Sequence, residues 1–145
     1  MKADTSEITL LLVEDDDIDA ASIERSFLKQ RIGNSIVRAH DGVEALELLK
    51  SGAVSYPFMV LLDLQMPRMN GLEFLDNLRA DPELVDTLVF VLTTSKSDQD
   101  MVKSYNRKVA GYFVKEEAGI NFIDVVNMFE SYWRVLHVPT EPRAM

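Results

Sequence analysis

Carboxylates, a hydroxyl group and an ammonium group each end a short apolar run in this chain. Glu14 and Asp15 follow the run ITLLLV, Asp63 follows FMVLL, Thr93 ends LVFVLT and Lys115 follows GYFV. Clustered carboxylates suit a hard divalent cation such as Mg²⁺, and an aspartate can act as a nucleophile. A hydroxyl group and an ammonium group can neutralise a transferred phosphoryl group. If one fold brings these side chains together, the set predicts phosphoryl chemistry at Asp63.

The apolar runs alternate with helical patterns along the chain. Predicted strands cover residues 8–13, 35–39, 58–63, 88–93 and 111–114, and predicted helices cover 17–31, 41–51, 71–80, 97–106 and 120–136. Strict alternation of this kind predicts an α/β protein with a parallel sheet and helices on both faces. The carboxyl ends of parallel strands meet at one edge of the sheet, where ligands bind. We therefore expect the five polar side chains to converge on one pocket.

Local signals set the expected ends and faces of the helices. Asp17 is expected to cap the first helix. The apolar side chains on the inward face of that helix are Ala20, Ile23, Phe27 and Leu28. Gly71 is expected to permit a sharp loop before the third helix, because glycine tolerates unusual backbone conformations. Asp81 and Pro82 indicate a brief helical turn after it.

The length and composition limit the classes of protein to which this chain can belong. The 145 residues fit one domain, with 1–7 as a flexible leader, 8–136 as the domain and 137–145 as a tail. A net charge of −9 argues against nucleic acid as a direct partner. No apolar run approaches the roughly 20 residues of a membrane span, and the leader lacks the apolar segment of a secretory signal. The chain has no cysteine, which excludes thiolate chemistry and is consistent with a cytoplasmic location.

Four motifs together resemble a known protein family. The segments LLVEDD, LLDLQMPRMNG, VLTTS and GYFVK occur in the order and at the spacing of a two-component response-regulator receiver domain. The resemblance implies the doubly wound, flavodoxin-like fold, with five parallel strands in the order 2-1-3-4-5. It also implies a signalling protein rather than an enzyme. Such a protein accepts a phosphoryl group from a histidine kinase and then switches partner binding or assembly.

The resemblance assigns the acidic residues of the first two motifs. It implies that Asp63 is the phosphoacceptor. It implies that Mg²⁺ is bound by Asp15, by Asp63 and by the backbone carbonyl of Gln65. Glu14 matches the acidic neighbour that acts on the metal through water.

The later motifs carry the remaining roles that the resemblance implies. Thr93 and Lys115 match the residues that contact the phosphoryl group, and Tyr112 matches an aromatic switch that turns inward when Thr93 moves. Gln65 and Ser95 match positions that tune the lifetime of the phosphate. As a lone lysine at a strand end, Lys115 is expected to add little to the stability of the fold.

The chain departs from the family pattern after Lys115. The family usually has proline at the next position, often after a cis peptide bond, whereas this chain has Glu116. A cis bond before a residue other than proline costs about 2.5–4 kcal/mol. We therefore expect a trans bond here and a different path for the loop that follows.

Two alternatives remain open. A degenerate receiver would bind partners without phosphorylation, which Glu116 favours and the complete set of pocket residues opposes. A phosphohydrolase of the haloacid-dehalogenase type also uses an aspartate nucleophile. That enzyme class usually carries a second aspartate two residues later, where this chain has Gln65, and places the nucleophile after its first strand.

The last part of the chain suggests partners. The segments VLTTS, GYFVKEEAG and SYWRVL resemble the small regulators that pair with bacterial phytochrome kinases, and no output domain follows, so a stand-alone receiver is expected. The last predicted helix carries two apolar sets. The set assigned to the sheet is Phe122, Val126, Phe129, Trp133 and Leu136, and the second set is Val125, Met128, Tyr132 and Val135. Because one core needs only a stripe of roughly 100°, the second set predicts a homodimer or a docked partner at the C-terminal helix and tail.

Overall fold

The computed structural model of this protein describes residues 8–30, 34–94 and 96–133, with residues 132 and 133 described by their backbone alone. The strands are β1 (Thr9–Val13), β2 (Ile36–Ala39), β3 (Phe58–Leu62), β4 (Val89–Thr93) and β5 (Gly111–Val114). The helices are α1 (Asp17–Lys29), α2 (Gly42–Ser51), α3 (Gly71–Ala80), α4 (Asp98–Asn106) and α5 (Ile123–Trp133). All strand pairs are parallel and the sheet order is β2-β1-β3-β4-β5, so the fold prediction is confirmed.

The sheet carries an apolar core on each face. On one face Phe27 of α1 and Phe129 of α5 stack with their ring centroids 6.4 Å apart. On the other face α2 and α3 cover the sheet, and Phe74, Leu75 and Leu78 of α3 are fully buried. Strands buried on both faces need apolar side chains at every position, which explains the unbroken apolar runs.

The strand register brings the ends of β1 and β3 side by side. Val13 pairs with Leu62, and the Asp63 N–H donates to the Val13 carbonyl at 2.9 Å. The residues that follow these two strands therefore emerge next to each other at one edge of the sheet. On the far side, Thr93 at the end of β4 pairs with Val114 at the end of β5.

Helix α1 corrects two expectations. Its cap is Asp16 rather than Asp17, because the Asp16 Oδ1 accepts hydrogen bonds from the Ile18 and Asp19 N–H groups at 2.9 and 3.0 Å. Leu28, predicted to face inward, is 76% exposed. Each helical residue turns about 100° from the one before, so Leu28 lies beyond the stripe that ends at Phe27.

The last helix begins later than predicted. Residues Ile120–Phe122 form a 3₁₀ turn in which Asn121 has a non-helical φ of 54°, and α5 begins only at Ile123. Phe122 and Val126 are buried against the sheet, as predicted, together with Phe129. Val125 is also in this core, and Met128 packs against it, so their assignment to a free second face was wrong. The core contacts of α5 include α1 as well as the sheet, which widens its buried face.

The loops after α3 and after β5 can also be compared with the expectations from the sequence. Residues 81–86 form hydrogen-bonded turns rather than a helix, with the Leu84 N–H donating to the Asp81 carbonyl at 3.0 Å. Within the described backbone the cis peptide bond is Tyr56–Pro57, so the Lys115–Glu116 bond is trans, as expected. A 3₁₀ turn, Lys115–Glu117, follows it.

Some predictions concern residues that the structure does not describe. The leader 1–7, Ser95 and residues 134–145 lie outside the described residues. Within the described parts of the chain, every helix is too short or too polar to cross a membrane.

Candidate functional site

Three carboxylates meet where β1 and β3 end. Oxygen atoms of Glu14, Asp15 and Asp63 all lie within 4.8 Å of one another. Glu14 and Asp63 are buried, at 1% and 5% exposure, whereas Asp15 is exposed. Hard divalent cations prefer carboxylate oxygens as ligands. The donor set therefore suits a divalent metal whose open side is at Asp15.

The Asp63 carboxylate is held at both of its oxygen atoms. Its Oδ1 accepts a hydrogen bond from the Gln65 N–H at 3.1 Å, and its Oδ2 accepts one from Lys115 Nζ at 3.2 Å. The Gln65 backbone thus lies at the pocket while its side chain is exposed. This orientation presents the carboxylate to the metal-binding cluster and to a cation at the same time.

Lys115 lies among three carboxylates. Its Nζ is 2.8 Å from Glu14 Oε2, 2.8 Å from Asp19 Oδ2 and 3.2 Å from Asp63 Oδ2, and its side chain is 8% exposed. An ammonium group has three hydrogen-bond donors, so each carboxylate can take one. Lys115 is therefore not a lone lysine, and we now expect its ammonium to stabilise the fold, because it balances buried negative charge.

The charges around Lys115 do not balance. Burial, followed by the negative charge of Asp63, raises the pKa of Glu14 from 4.5 to about 8, although Lys115 acts against the rise. Burial by itself would lower the pKa of Lys115, but hydrogen bonds to Asp19 and Glu14 and the charge of Asp63 raise it. With three carboxylates for one ammonium, the metal-free pocket retains an additional proton on Glu14.

This proton makes the stability of the metal-free protein depend on pH. Between about pH 4.5 and pH 8 the folded state holds a proton on Glu14 that the unfolded state has lost. We expect the free energy of unfolding to fall as the pH rises through this window, by at most about 1.4 kcal/mol per pH unit. Urea unfolding in the presence of a chelator, at a series of pH values, measures the slope.

Glu14→Gln provides the control for this slope, because the amide keeps the shape of the side chain but binds no proton. The variant should show a flatter pH dependence than the wild type, and excess Mg²⁺ should flatten the wild type as well. Equal slopes for the wild type and Glu14→Gln would contradict the assigned proton.

Arg38 of β2 anchors the acidic loop that follows β1. Its Nε and one terminal nitrogen donate to the Glu14 backbone carbonyl at 3.1 and 2.9 Å, and its other nitrogen pairs with Asp17 at 2.7 Å. A planar guanidinium can hold several acceptors in fixed directions. Arg38 therefore fixes the position at which Glu14 and Asp15 leave the sheet.

A second arginine fixes the loop after β3. Arg68 donates from Nε to Asp41 Oδ2 at 2.7 Å and from a terminal nitrogen to Oδ1 at 3.1 Å, and this contact holds the pKa of Asp41 below its usual range. Asp41 also caps α2, and the Gly42 N–H donates to the Met69 carbonyl at 3.1 Å. The loop that contains Gln65 is thus tied to the start of α2.

Thr93 and Tyr112 lie on the adjacent strands β4 and β5. Thr93 is fully buried at the end of β4, and Tyr112 on β5 is half-buried opposite Val91. Tyr112 also lines a cavity of about 330 Å³ together with Met101 and Val125. The structure therefore places Thr93 at the carboxyl end of β4 and Tyr112 at a surface cavity.

The structure brings Glu14, Asp15, Asp63 and Lys115 together, as the spacing predicted, but two contributors were missed. Asp19 was not considered, although it lies in the first turn of α1, two residues after the acidic run that follows β1. Arg38 was overlooked in the short apolar strand β2, where a single charge is itself a signal.

Comparison with known proteins identifies the class. The family model described as a response regulator receiver domain matches residues 10–127, so the chain belongs to that family of two-component signalling proteins. It is 35% identical over 127 residues to the probable methanogenesis regulatory protein FilR2 of Methanothrix harundinacea, covering 86% of this chain and 82% of that protein. It is 30% identical over 139 residues to response regulator Rcp1 of Synechocystis sp., covering 93% of each.

Solved structures agree with this assignment. The phosphorylated cyanobacterial phytochrome response regulator RcpA matches with a TM-score of 0.82 and 29% identity, over 92% of this chain and 99% of that one. The Mn²⁺-bound form of Rcp1 matches with a TM-score of 0.80 and 29% identity, over 90% and 98%. RcpA is a phytochrome response regulator, in line with the resemblance noted in the sequence, and the Rcp1 structure is a Mn²⁺-bound form.

Proposed function

We propose that the protein accepts a phosphoryl group on Asp63 from the phosphohistidine of a histidine kinase. The observation that supports this most strongly is the position of the Asp63 carboxylate, which clusters with those of Glu14 and Asp15 and contacts the buried Lys115 ammonium. An Asp63 oxygen forms a bond to phosphorus while the phosphorus–nitrogen bond to the kinase histidine breaks. The electron pair of that bond returns to the imidazole, and the product is an acyl phosphate.

Glu14, Asp15, Asp63 and the Gln65 carbonyl are proposed to hold Mg²⁺, with Glu14 acting through water. When bound, the cation supplies positive charge to the oxygens of the transferred group. Lys115, which contacts the Asp63 carboxylate, would supply a second positive charge. The carboxylates alone would repel the incoming group, so the two cations are needed together.

Thr93 and Tyr112 are proposed to form the switch. The Thr93 hydroxyl would contact a phosphoryl oxygen in one state only, and a ligand shifts an equilibrium only through such differential contacts. Movement of Thr93 would then be accompanied by rotation of Tyr112 into the adjacent cavity. That cavity lies between β5, α4 and α5, where a change of shape is accessible to a partner.

Phosphorylation is tested directly by intact mass. Incubation with acetyl phosphate and Mg²⁺ should add one phosphoryl group to the wild type and none to Asp63→Asn, since the amide is not a nucleophile of comparable strength. Asp76→Asn, an exposed aspartate on α3, is the matched control and should be phosphorylated like the wild type. A wild type without added mass, or an equal gain in Asp63→Asn, would favour the degenerate receiver instead.

The kinase partner is proposed to be a bacterial phytochrome, and the location to be the cytoplasm. The support is the similarity to Rcp1 and RcpA over most of the chain, together with the receiver pocket itself. The phosphohydrolase alternative has no support, because Asp63 follows the central strand β3 and the family model covers this pocket.

We further propose a homodimer through the C-terminal helix and tail. The segment SYWRVL supplies aromatic and apolar residues of the kind enriched at interfaces. Because Val125 and Met128 belong to the core, this surface would depend on residues after 131. An alternative surface exists on α4, where Val102 and Tyr105 are exposed.

Light scattering at micromolar concentration distinguishes these surfaces. The full chain should be a dimer, and a chain ending at Tyr132 should be a monomer, because truncation removes the apolar tail. Val102→Glu in the full chain should leave the dimer intact. A truncated chain that remains dimeric, but dissociates when Val102→Glu is added, would place the interface on α4.

A further inference from the structure

Asp19 contacts Lys115 in the pocket but has no role in the proposed phosphorylation. It lies in the first turn of α1, and its Oδ2 is 2.8 Å from Lys115 Nζ. That distance is shorter than the 3.2 Å from the same nitrogen to Asp63 Oδ2. The ammonium that should serve the phosphoacceptor is therefore held at least as closely by a carboxylate on a helix.

The hydrogen bonds of Lys115 leave little capacity for a new acceptor. Glu14, Asp19 and Asp63 occupy the three donor directions of the ammonium. A phosphoryl group on Asp63 adds oxygens that need the same donors. It must displace one of the present acceptors or share a donor with it.

Asp19 also places a negative charge close to the reacting carboxylate. Its Oδ2 and the Asp63 Oδ2 contact one nitrogen, so they are no more than about 6.0 Å apart. At this separation like charges repel strongly in a partly buried site, and the same charge attracts a divalent cation. The Asp19 side chain is 27% exposed, so added salt should weaken both effects.

We infer that Asp19 is a positioning residue that competes with the phosphoryl group for the Lys115 ammonium. Its charge favours metal binding and opposes phosphoryl binding in the same pocket. The inference rests on the proposed phosphorylation of Asp63 and adds a determinant of how readily that state forms. It also links the first turn of α1 to the phosphorylation state, because release of Lys115 frees the Asp19 carboxylate.

Two ligands with opposite charge test the inference. Asp19→Asn keeps the size of the side chain and removes its charge. Titration with beryllofluoride in the presence of Mg²⁺ should show binding on the order of threefold to tenfold tighter than in the wild type. Titration with Mg²⁺ alone should show binding weaker by a similar factor, and both differences should shrink as salt is added.

Two further variants identify the cause. Asp19→Glu restores the charge and should return both affinities toward the wild type. Glu24→Gln removes a charge from α1 at a position outside the pocket and should change neither affinity.

The outcomes separate this inference from the proposed function. If Asp19→Asn weakens beryllofluoride binding, Asp19 serves as an anchor that orients Lys115, and the competition is disproved. Affinities that stay within about twofold of the wild type would overturn the inference as well. A wild type that binds no beryllofluoride would overturn the proposed phosphorylation itself, and with it the inference.

Discussion

Replacing Lys115 with alanine is expected to lower the free energy of unfolding of the metal-free protein by about 3 kcal/mol. The Lys115 side chain is 8% exposed, and its ammonium group contacts two carboxylates that are almost completely buried, those of Glu14 and Asp63. Removing one partner of a buried pair leaves the other charge without compensation. The ability of Glu14 to take up a proton limits the loss, because its pKa is already raised to about 8.

The same variant should respond more strongly to metal than the wild type does. A divalent cation replaces part of the charge that Lys115 supplied, so Mg²⁺ should raise the unfolding midpoint of Lys115→Ala by more than that of the wild type. The proposed phosphorylated state would need both cations, and therefore the conformational response to acetyl phosphate should be lost. Urea unfolding with chelator or Mg²⁺, and hydrogen exchange after phosphorylation, measure the two effects.

Lys50→Ala is the matched control, since Lys50 is an exposed lysine in the last turn of α2. Its effect on stability should stay within about 0.5 kcal/mol. A Lys115→Ala variant as stable as Lys50→Ala would show that the three carboxylate contacts of Lys115 make no net contribution to stability. A normal response to phosphorylation in Lys115→Ala would show that the ammonium does not serve the phosphoryl group.

The elements that position the pocket were predictable because their signals are local. A strand buried on both faces must be apolar throughout, and the first polar residue after it marks the sheet edge. Glu14 and Asp63 were found in this way, and Lys115 likewise. The parallel topology then required these strand ends to converge.

The contacts that the sequence did not reveal are between segments far apart in the chain. The partner that distinguishes Lys115 from a lone surface lysine is Asp19, which is 96 residues away. The start of α5 depends on Ser26, whose Oγ donates to the Asn121 carbonyl at 2.7 Å across a separation of 95 residues. Local propensity contains no information on either contact, so the sequence missed one partner of Lys115 and placed the start of the helix too early.

Gly71 was recognised from the sequence as important, but for the wrong physical reason. It was expected to supply an unusual backbone conformation, yet in the described chain the glycines with positive φ are Gly52 and Gly119. The residue of that loop with positive φ is Arg68, at 59°. What Gly71 supplies is space, because a Cβ atom there would lie 2.7 Å from the Leu64 Cα and 2.8 Å from the Asp63 carbonyl oxygen.

Gly71→Ala is accordingly expected to destabilise the fold by about 3 kcal/mol, at the upper end of the usual cost of overpacking. The obstructing atoms belong to the backbone and cannot rotate away, so α3 and the loop after β3 must separate. That movement would also break the hydrogen bond from the Gly71 N–H to the Leu64 carbonyl, now 3.0 Å. Because the loop begins at Asp63, phosphorylation by acetyl phosphate should slow as well.

Gly52→Ala is the control that separates space from conformation. Gly52 has φ 80° and nothing near its missing side chain, so alanine there should cost about 1 kcal/mol and leave phosphorylation unchanged. Urea unfolding and the rate of mass gain with acetyl phosphate, measured on both variants, give the comparison. If Gly71→Ala proves no more destabilising than Gly52→Ala, the loop after β3 can move without loss, and the close approach of α3 does not hold Asp63 in place.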